Sequence, residues 1–321
     1  MESTKKRFSI KNKLLLIFGL LVLAATSLLG VLATNIARKA VTEKIETHLV
    51  DKASDVAEVV DGRINAMFQF LEGLARMPVF RDTQASYEEK TMALKSEVAF
   101  NKNLHTAAIS DIKGVMYTLD GQKLKSNDRD WFYSAMQGNR FATEPYLSRS
   151  DNKIIQTFAV PIYDDNKQVI GILAAATLAQ WLSDQIADIV VGKTGACYIA
   201  GREGTIIADR DKSLVDNRTN VINNAKQDPS LASVASFLSH AIEVKKSEVG
   251  YYNYRGNFYI ASSARVKSTE WTVVIRAPVH EFMGAINQLR NSLLTIGVVI
   301  LIVALITVYL TARKIVQPIQ T

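Results

Sequence analysis

Two stretches of the chain, FAVPIYDDNKQVIGILAAATLAQWL at residues 158–182 and ASSARVKSTEWTVVIRAPVHEFM at residues 261–283, decide the fold. Each reads as strand, turn, strand and helix, because apolar runs of strand length are separated by polar turn residues. The two stretches differ in sequence, so the repeat is one of architecture and not of identity. The chain therefore predicts two copies of one antiparallel-sheet module.

Further strand signals precede or surround each of these stretches. In the first cycle, residues 105–110 and 115–119 predict a hairpin around the turn DIKG. In the second cycle, residues 196–199 and 205–209 predict a hairpin around REG, and residues 250–254 form a strand before the second quoted stretch. Two antiparallel sheets with flanking helices place the chain in the α+β class.

Two long apolar runs, residues 14–34 and 293–311, contain no charged residue. At 1.5 Å per helical residue, each is long enough to cross a hydrocarbon core of about 30 Å. They predict transmembrane helices at residues 14–36 and 291–311. The first run is longer than the apolar region of a secretory signal peptide, so we interpret it as an uncleaved anchor.

Basic residues next to the two runs predict the orientation. Arg313 and Lys314 follow the second run, and the first run is preceded by Lys5, Lys6, Arg7, Lys11 and Lys13. By the positive-inside rule, residues 1–13 and the C-terminal end lie in the cytoplasm, and residues 37–290 lie outside. The predicted location is the inner (cytoplasmic) membrane, with two passes through it. Much of the net charge of +7 lies beside the membrane, so no nucleic-acid partner is expected.

After the first span, apolar residues recur at spacings of three and four. They are Val50, Ala53, Ala57, Val60, Ile64, Met67, Leu71 and Leu74. This seam predicts a long helix over residues 37–77, ended by Met77-Pro78. The spacing fits equally well a helix that packs on its copy in a homodimer and one that packs on its own domain.

The segment NDRDWFYSAMQGN, residues 127–139, predicts a short helix with Asp128 as its N-cap and Gly138 after its C-terminal end. Capping does not explain why Arg129 and Trp131 stand together in the first turn. A guanidinium can bind a carboxylate through two parallel N–H bonds, and an indole adds a third N–H donor. The alternative is a surface stack of the guanidinium on an aromatic ring.

Catalytic and metal chemistry find no support in the sequence. The four histidines have no metal-ligand spacing, and the single Cys197 cannot form an intramolecular disulfide. VGKTG at residues 191–195 lacks the first glycine of a phosphate-binding loop. We therefore expect no enzymatic activity, no metal and no cofactor.

The layout resembles the sensory half of a methyl-accepting chemotaxis receptor with a double Cache domain. The resemblance rests on Arg129 and Trp131, on Tyr146 in TEPY, on the AVPIYDD hairpin, on GKTGACYIAGREGTIIADRD, and on Pro318 in ARKIVQPIQT. It implies two PAS-like modules on the long N-terminal helix, one membrane-distal at residues 78–185 and one membrane-proximal at residues 186–280. It also implies that residues 312–321 begin a HAMP domain.

In the family members that bind amino acids, the residues that match Arg129 and Trp131 hold the ligand carboxylate, and the match of Tyr146 lines the pocket. The resemblance extends this site to Ser148 and Ala176, which stand where aspartates usually bind the ligand ammonium. Phe132 stands where a tyrosine is common.

Arg149 adds a cation near the predicted pocket, and the missing acids leave an ammonium group without an anion. We therefore expect a small carboxylate or another small polar metabolite, with amino-acid-like ligands less well matched. Asp151, Asp164 or Asp165 would supply an acid if the alignment is displaced.

The resemblance implies a homodimeric transmembrane chemoreceptor that signals to a cytoplasmic chemotaxis coupling protein and kinase. The alternatives are the sensor half of a histidine kinase or diguanylate cyclase, and an adhesive or purely structural outer domain.

Overall fold

The computed structural model describes residues 10–244 and 246–316. Its helices are α1 Ile10–Ala75, α2 Pro78–Arg81, α3 Tyr87–Phe100, α4 Asp130–Met136, α5 Gln180–Ile186, α6 Lys212–Asp216, α7 Val221–Asn224, α8 Ala232–Val244 and α9 Val279–Val316. Its strands are β1 Thr106–Asp111, β2 Val115–Thr118, β3 Lys123–Lys125, β4 Phe141–Ala142, β5 Tyr146–Leu147, β6 Ile154–Tyr163, β7 Val169–Leu178, β8 Ala196–Ala200, β9 Ile206–Asp209, β10 Glu248–Tyr254, β11 Asn257–Arg265 and β12 Thr272–Pro278.

The chain divides into two compact units, Met1–Ile45 with Val279–Thr321, and Glu46–Pro278. The first unit contains the apolar parts of α1 and α9. Each helix includes an apolar window long enough to cross a membrane, with mean hydropathies of 2.6 and 2.9, and neither window is buried by protein. Small residues occur where the two helices meet, since a Cβ on Gly19 would lie 3.2 Å from a methyl carbon of Leu305.

Both helices continue without interruption out of their apolar parts. Helix α1 combines the predicted span with the predicted long helix, and α9 begins directly after β12. Residues 1–9, 245 and 317–321 lie outside the described residues, and with them Pro318 and the second half of the predicted HAMP start at residues 312–321.

The second unit contains two antiparallel sheets, which confirms the predicted α+β class. The strand order is β3-β2-β1-β7-β6-β4 in the first sheet, with β5 also on β6, and β10-β11-β12-β8-β9 in the second. The shared central order, β2-β1-β7-β6 against β9-β8-β12-β11, is the architectural repeat predicted from the two quoted stretches. We call the first sheet with α2–α4 the first module, and the second sheet with α5–α8 the second module.

The seam of α1 is buried within the protomer. Seven of its eight residues are at most 7% exposed, and Val50 is partly buried. Helix α1 contacts both modules, because the ring of Phe68 meets that of Phe158 edge-on at 5.7 Å and Asp61 accepts the Ser268 backbone N–H at 2.7 Å. Of the two uses that the spacing allowed, the structure shows packing on the helix's own domain.

Five of the described helices were not predicted from the sequence, and α3 and α8 are the long ones among them. Helix α3 begins with a capping box, in which Ser86 and Glu89 each accept a backbone N–H from the other. Helix α8 covers the second sheet through Val234, Ala235 and Leu238. Cys197 on β8 is buried as well, at 2% exposure, so its thiol is shielded.

Candidate functional site

The first module contains a cavity of about 50 Å³ on the face of its sheet. By that measure it has room for roughly three to five water molecules. It lies between the entry to α4, the loop after β5, and strands β1, β6 and β7. The lining residues are Thr106, Ala107, Ala108, Met116, Thr118, Lys125, Arg129, Trp131, Tyr146, Ser148, Arg149, Ser150, Ile155, Thr157, Ala174, Ala175 and Ala176.

Six of the seven site residues predicted from the sequence line this one cavity. They are Arg129, Trp131, Tyr146, Ser148, Arg149 and Ala176. The seventh, Phe132, is absent from the lining. Its ring is 5% exposed and packs with Ala135, Ala159 and Ile172 in the core beneath α4. Consecutive helical residues point about 100° apart, so Phe132 and Trp131 cannot both face the cavity directly.

Arg129 is the residue that precedes α4. Its backbone is extended, with φ −107° and ψ 137°, and its side chain makes no capping hydrogen bond. The guanidinium carbon lies 4.9 Å from the ring centroid of Tyr146. Among the described residues, the guanidinium has no ion pair and no hydrogen-bond acceptor, so its donors remain available to a ligand.

Trp131 supplies a second free donor to the same cavity. Its side chain is 3% exposed, and its indole Nε1 is buried with no hydrogen-bond partner in the described part of the chain. A buried donor without a partner costs about 1–3 kcal/mol, so an acceptor that enters the cavity next to this N–H would recover that free energy.

Asp128 was predicted to cap α4, and this prediction is wrong. The helix begins at Asp130, and the Asp128 carboxylate instead accepts two hydrogen bonds from Arg149, at 2.9 and 2.8 Å. Arg149 also donates to the Lys125 carbonyl at 3.1 Å. The hydrogen bonds from Arg149 lower the pKa of Asp128 to about 2. Arg149 therefore lines the cavity, but its positive charge is already paired with Asp128. The predicted turn after the helix is present, with Gly138 at φ +85°.

Hydroxyl groups complete the polar lining. The Tyr146 hydroxyl shares a hydrogen bond of 2.7 Å with Thr157, and Ser148 shares one of 2.9 Å with Ser150. Thr157 and Thr106 flank Ala176 on the two neighbouring strands. Sequence reasoning missed both threonines, as well as Thr118, Ser150 and Lys125. The pairing register of β1, β6 and β7 would have identified the two that flank Ala176.

None of the described lining residues is acidic, whereas three are basic. None of the aspartates considered as substitutes lines the cavity, but Asp151 lies at its edge, bound to His105 at 2.5 Å and next to the lining residue Ser148. Asp164 accepts backbone N–H groups of its own turn, and Asp165 binds Arg81. The described lining itself therefore supplies no carboxylate to an ammonium group. No cluster of three potential metal ligands occurs within residues 10–244 and 246–316.

Two antiparallel sheets on a long helix, with a donor-lined cavity on one face of the first sheet, have the layout of Cache-type modules. The family model dCache_1, a Cache domain, matches residues 33–286, and the chain belongs to this family. The methyl-accepting chemotaxis protein PscA of Pseudomonas syringae is 20% identical over 98% of this chain and 48% of its own length. The chain spans about half the length of the curated relatives it matches.

Two solved structures share the fold. The ligand-binding domain of PctB from Pseudomonas aeruginosa, in complex with L-Arg, has a TM-score of 0.55 at 20% identity and covers 75% of this chain and 98% of that chain. The extracellular domain described as that of a histidine kinase, mmHK1S-Z3, has a TM-score of 0.61 at 12% identity and covers 75% and 97%. The resemblance to a double Cache receptor is thereby confirmed at the level of family and fold.

The ion pair of Asp128 and Arg149 gives a pH-dependent contribution to stability. The pKa of Asp128 is lowered from 3.8 to about 2, so the contribution is complete above pH 3.8 and is lost as the pH falls through 2. Asp128→Asn should therefore lower the Tm at pH 6, and the difference from the parent should shrink to about half at pH 3. Thermal unfolding of the 321-residue chain in detergent measures it.

The matched control is Asp188→Asn, which removes an exposed carboxylate that has no described ion pair. A Tm difference for Asp128→Asn that stays constant between pH 6 and pH 3 would contradict the pairing.

Proposed function

We propose that the chain is the sensory part of a transmembrane chemoreceptor and that its first module, the membrane-distal one, binds a small ligand through a carboxylate. The observation that carries this proposal is the pair of free donors, the Arg129 guanidinium and the Trp131 indole N–H, on one acid-free cavity. A bidentate guanidinium–carboxylate contact, with the indole as a third donor, satisfies both groups.

The ligand class follows from the charges of the lining. An α-ammonium group enclosed here would face Lys125 and Arg129 without a carboxylate. Burying such a charge unpaired costs several kcal/mol. We therefore propose a small carboxylate without an ammonium group, although relatives such as PctB have been solved with an amino acid. The modest cavity volume favours a ligand of few heavy atoms.

The ligand supplies only its differential affinity for two arrangements of the receptor. In this proposal, the bias passes through the second module to α9, the second membrane span, and from there to a HAMP domain, a coupling protein and a kinase. Shifts of about 1–2 Å between packed helices are sufficient for such switches. The chain then acts as a sensor and not as an enzyme.

Removal of the Arg129 charge should weaken ligand binding. Arg129→Ala loses a charge-assisted contact of about 1.5–3 kcal/mol, which is a decrease in affinity of about one to two powers of ten. Arg129→Lys should recover part of it, because lysine keeps the charge but not the paired geometry. Propionate should bind the parent more tightly than L-alanine does, since the two differ by the ammonium group alone. Calorimetry on the detergent-solubilised chain measures these affinities after a thermal-shift screen of small carboxylates and amino acids.

The matched control is Arg202→Ala, because Arg202 also stacks on an aromatic ring, 5.4 Å from the centroid of Phe141, but lies outside the cavity. Binding that survives both Arg129→Ala and Trp131→Phe would place recognition elsewhere. Tighter binding of L-alanine than of propionate would refute the acid-free interpretation of the cavity.

The proposed topology places residues 1–13 and the C-terminal end in the cytoplasm and residues 37–290 outside. It is supported by the two apolar helices and by the basic residues beside them. An alkaline phosphatase fusion after residue 200 should be active, because this enzyme folds only outside the cytoplasm, and a fusion after residue 315 should be inactive. The opposite pattern of activities would reject the topology.

We also propose a homodimer, but through a different face of α1 from the buried seam. Val59, Gly62, Ala66, Gln69 and Gly73 are exposed and follow their own spacing of three and four, with Val59 50% exposed. Small residues on this stripe allow a second helix to approach closely.

Cysteine substitution distinguishes the two faces of α1. Val59→Cys and Ala66→Cys should cross-link in oxidised membranes, whereas Val60→Cys and Ile64→Cys, at 1% and 0% exposure, should not. The native Cys197 does not compete, because burial raises the pKa of its thiol and shields it. Cross-linking at Val60→Cys and Ile64→Cys alone would show that the dimer forms through the seam and not through the exposed stripe.

The second candidate function is the sensor of a histidine kinase, favoured by the shared fold of mmHK1S-Z3. Co-purification of the native receptor with the chemotaxis coupling protein supports the chemoreceptor, and autophosphorylation on histidine supports the kinase.

A further inference from the structure

The second module holds a largely buried arginine, Arg276, on its last strand. The guanidinium carbon lies 5.4 Å from the ring centroid of Tyr198, 5.1 Å from that of Tyr254 and 5.3 Å from that of Tyr259. A cation within about 6 Å of an aromatic face is attracted by the ring, and more strongly where water is excluded. These three rings come from β8, β10 and β11, and we call them the tyrosine cage.

A second cation, Arg255, borders the cage, with its guanidinium carbon 5.2 Å from the ring centroid of Tyr254, and the other neighbouring groups favour a cation. Asp209 is 5% exposed, and burial raises the pKa of its carboxyl while Arg276 opposes that shift. Burial disfavours the charged form of Arg276, but Tyr252, Tyr198 and Asp209 outweigh it and raise its pKa. The hydroxyls of Tyr198 and Tyr252 are buried, and that of Tyr252 lies beside the Arg276 guanidinium. No described carboxylate lies within salt-bridge distance of Arg276, so the three aromatic faces and the Tyr252 hydroxyl are its favourable contacts.

The position of Arg276 in its sheet corresponds to a position in the ligand cavity of the first module. In the first sheet, Ala176 pairs with Thr106, the first residue of β1, and with Thr157 of β6. It lies two residues before the end of β7 and lines the cavity. The small methyl group there leaves room above the sheet.

In the second sheet, Arg276 pairs with Ala196, the first residue of β8, and with Ala261 of β11. It also lies two residues before the end of its strand. In the first module the small residue, Ala176, lies on the middle strand between two threonines. In the second module the large residue, Arg276, lies on the middle strand between two alanines. The space that is a cavity in one module is filled by the Arg276 side chain in the other.

We propose that the tyrosine cage is an organic-cation site of the second module that is occupied in cis by Arg276. The site accepts a guanidinium or alkylammonium group, and the chain supplies that group itself. The position in the second module that corresponds to the ligand cavity of the first is therefore filled. Since α9 begins three residues after Arg276, the occupied cage also fixes the end of the strand from which α9 departs.

Chemical rescue tests this proposal. Arg276→Ala empties the cage, so the Tm of the full chain in detergent should fall. Ethylguanidinium, which reproduces the end of the arginine side chain, should then raise the Tm of this variant saturably at millimolar concentration, by about 2–4 °C. The parent should not respond, because its cage is occupied. Ethylurea, which is neutral and similar in shape, should not substitute for ethylguanidinium.

Arg265→Ala is the matched control, since Arg265 lies on β11 of the same sheet but pairs with Glu270 at 3.1 Å outside the cage. Its Tm should not respond to ethylguanidinium. Arg276→Lys keeps a cation among the rings, so its Tm should lie between those of parent and alanine variant, again without a response.

If Arg276→Ala does not fold alone, expression in the presence of ethylguanidinium should restore folded protein, and failure to restore it counts against the site. The proposal is overturned if Arg276→Ala is as stable as the parent, or if ethylguanidinium and ethylurea act equally, because the arginine would then be only a space-filling residue. This outcome is independent of Arg129, so it leaves the proposed ligand of the first module untouched.

Discussion

Burial of one face of α1 against both modules is the interaction on which the second unit depends. Leu49, Ile64 and Leu71 are fully buried along this face, and Phe68 is 1% exposed. Each such side chain contributes about 1.5–3 kcal/mol relative to an exposed one. The two modules have separate sheets, and α1 contacts both, through Phe158 of the first and Ser268 of the second. The modules also contact each other directly, since the guanidinium of Arg202 stacks on Phe141. A rearrangement in one module therefore changes the packing of a helix that also contacts the other module.

The sequence was sufficient for the parts of the fold that have local causes. Alternating apolar residues and polar turns located the hairpins, because strand period and turn chemistry act within a few residues. The spacing of three and four located the long helix for the same reason. It did not reveal what covers the seam, because a helix partner and the faces of two sheets demand the same apolar spacing. Strands β3, β4 and β5 are two or three residues long, and their pairing depends on distant neighbours.

In the candidate site as well, the sequence predicted the residues but not the contacts between distant ones. Arg129, Trp131, Tyr146, Ser148, Arg149 and Ala176 come together around one cavity, as the resemblance implied. What the sequence did not provide was pairing across the fold. Asp128 was assigned to the helix because capping is the usual local use of an aspartate there, yet Arg149, 21 residues away, binds it instead. That contact leaves Arg129 as the lining guanidinium without a partner. Phe132 was included because a tyrosine is common at this position in the family, but the helical rotation turns its ring into the core.

Kinship with amino-acid receptors does not determine the ligand of this cavity. A Cache sheet has one concave face, and the few side chains on that face select the ligand. Domains that are 20% identical can therefore share the fold and differ in specificity. In this chain the donors are present, in Arg129 and Trp131, while the positions suited to an acid hold Ser148 and Ala176. In the proposed site, anion recognition is therefore independent of ammonium recognition. Recognition of an ammonium group requires an added carboxylate. Ala176, a buried residue between Thr106 and Thr157, is the position where that carboxylate would have to be accommodated.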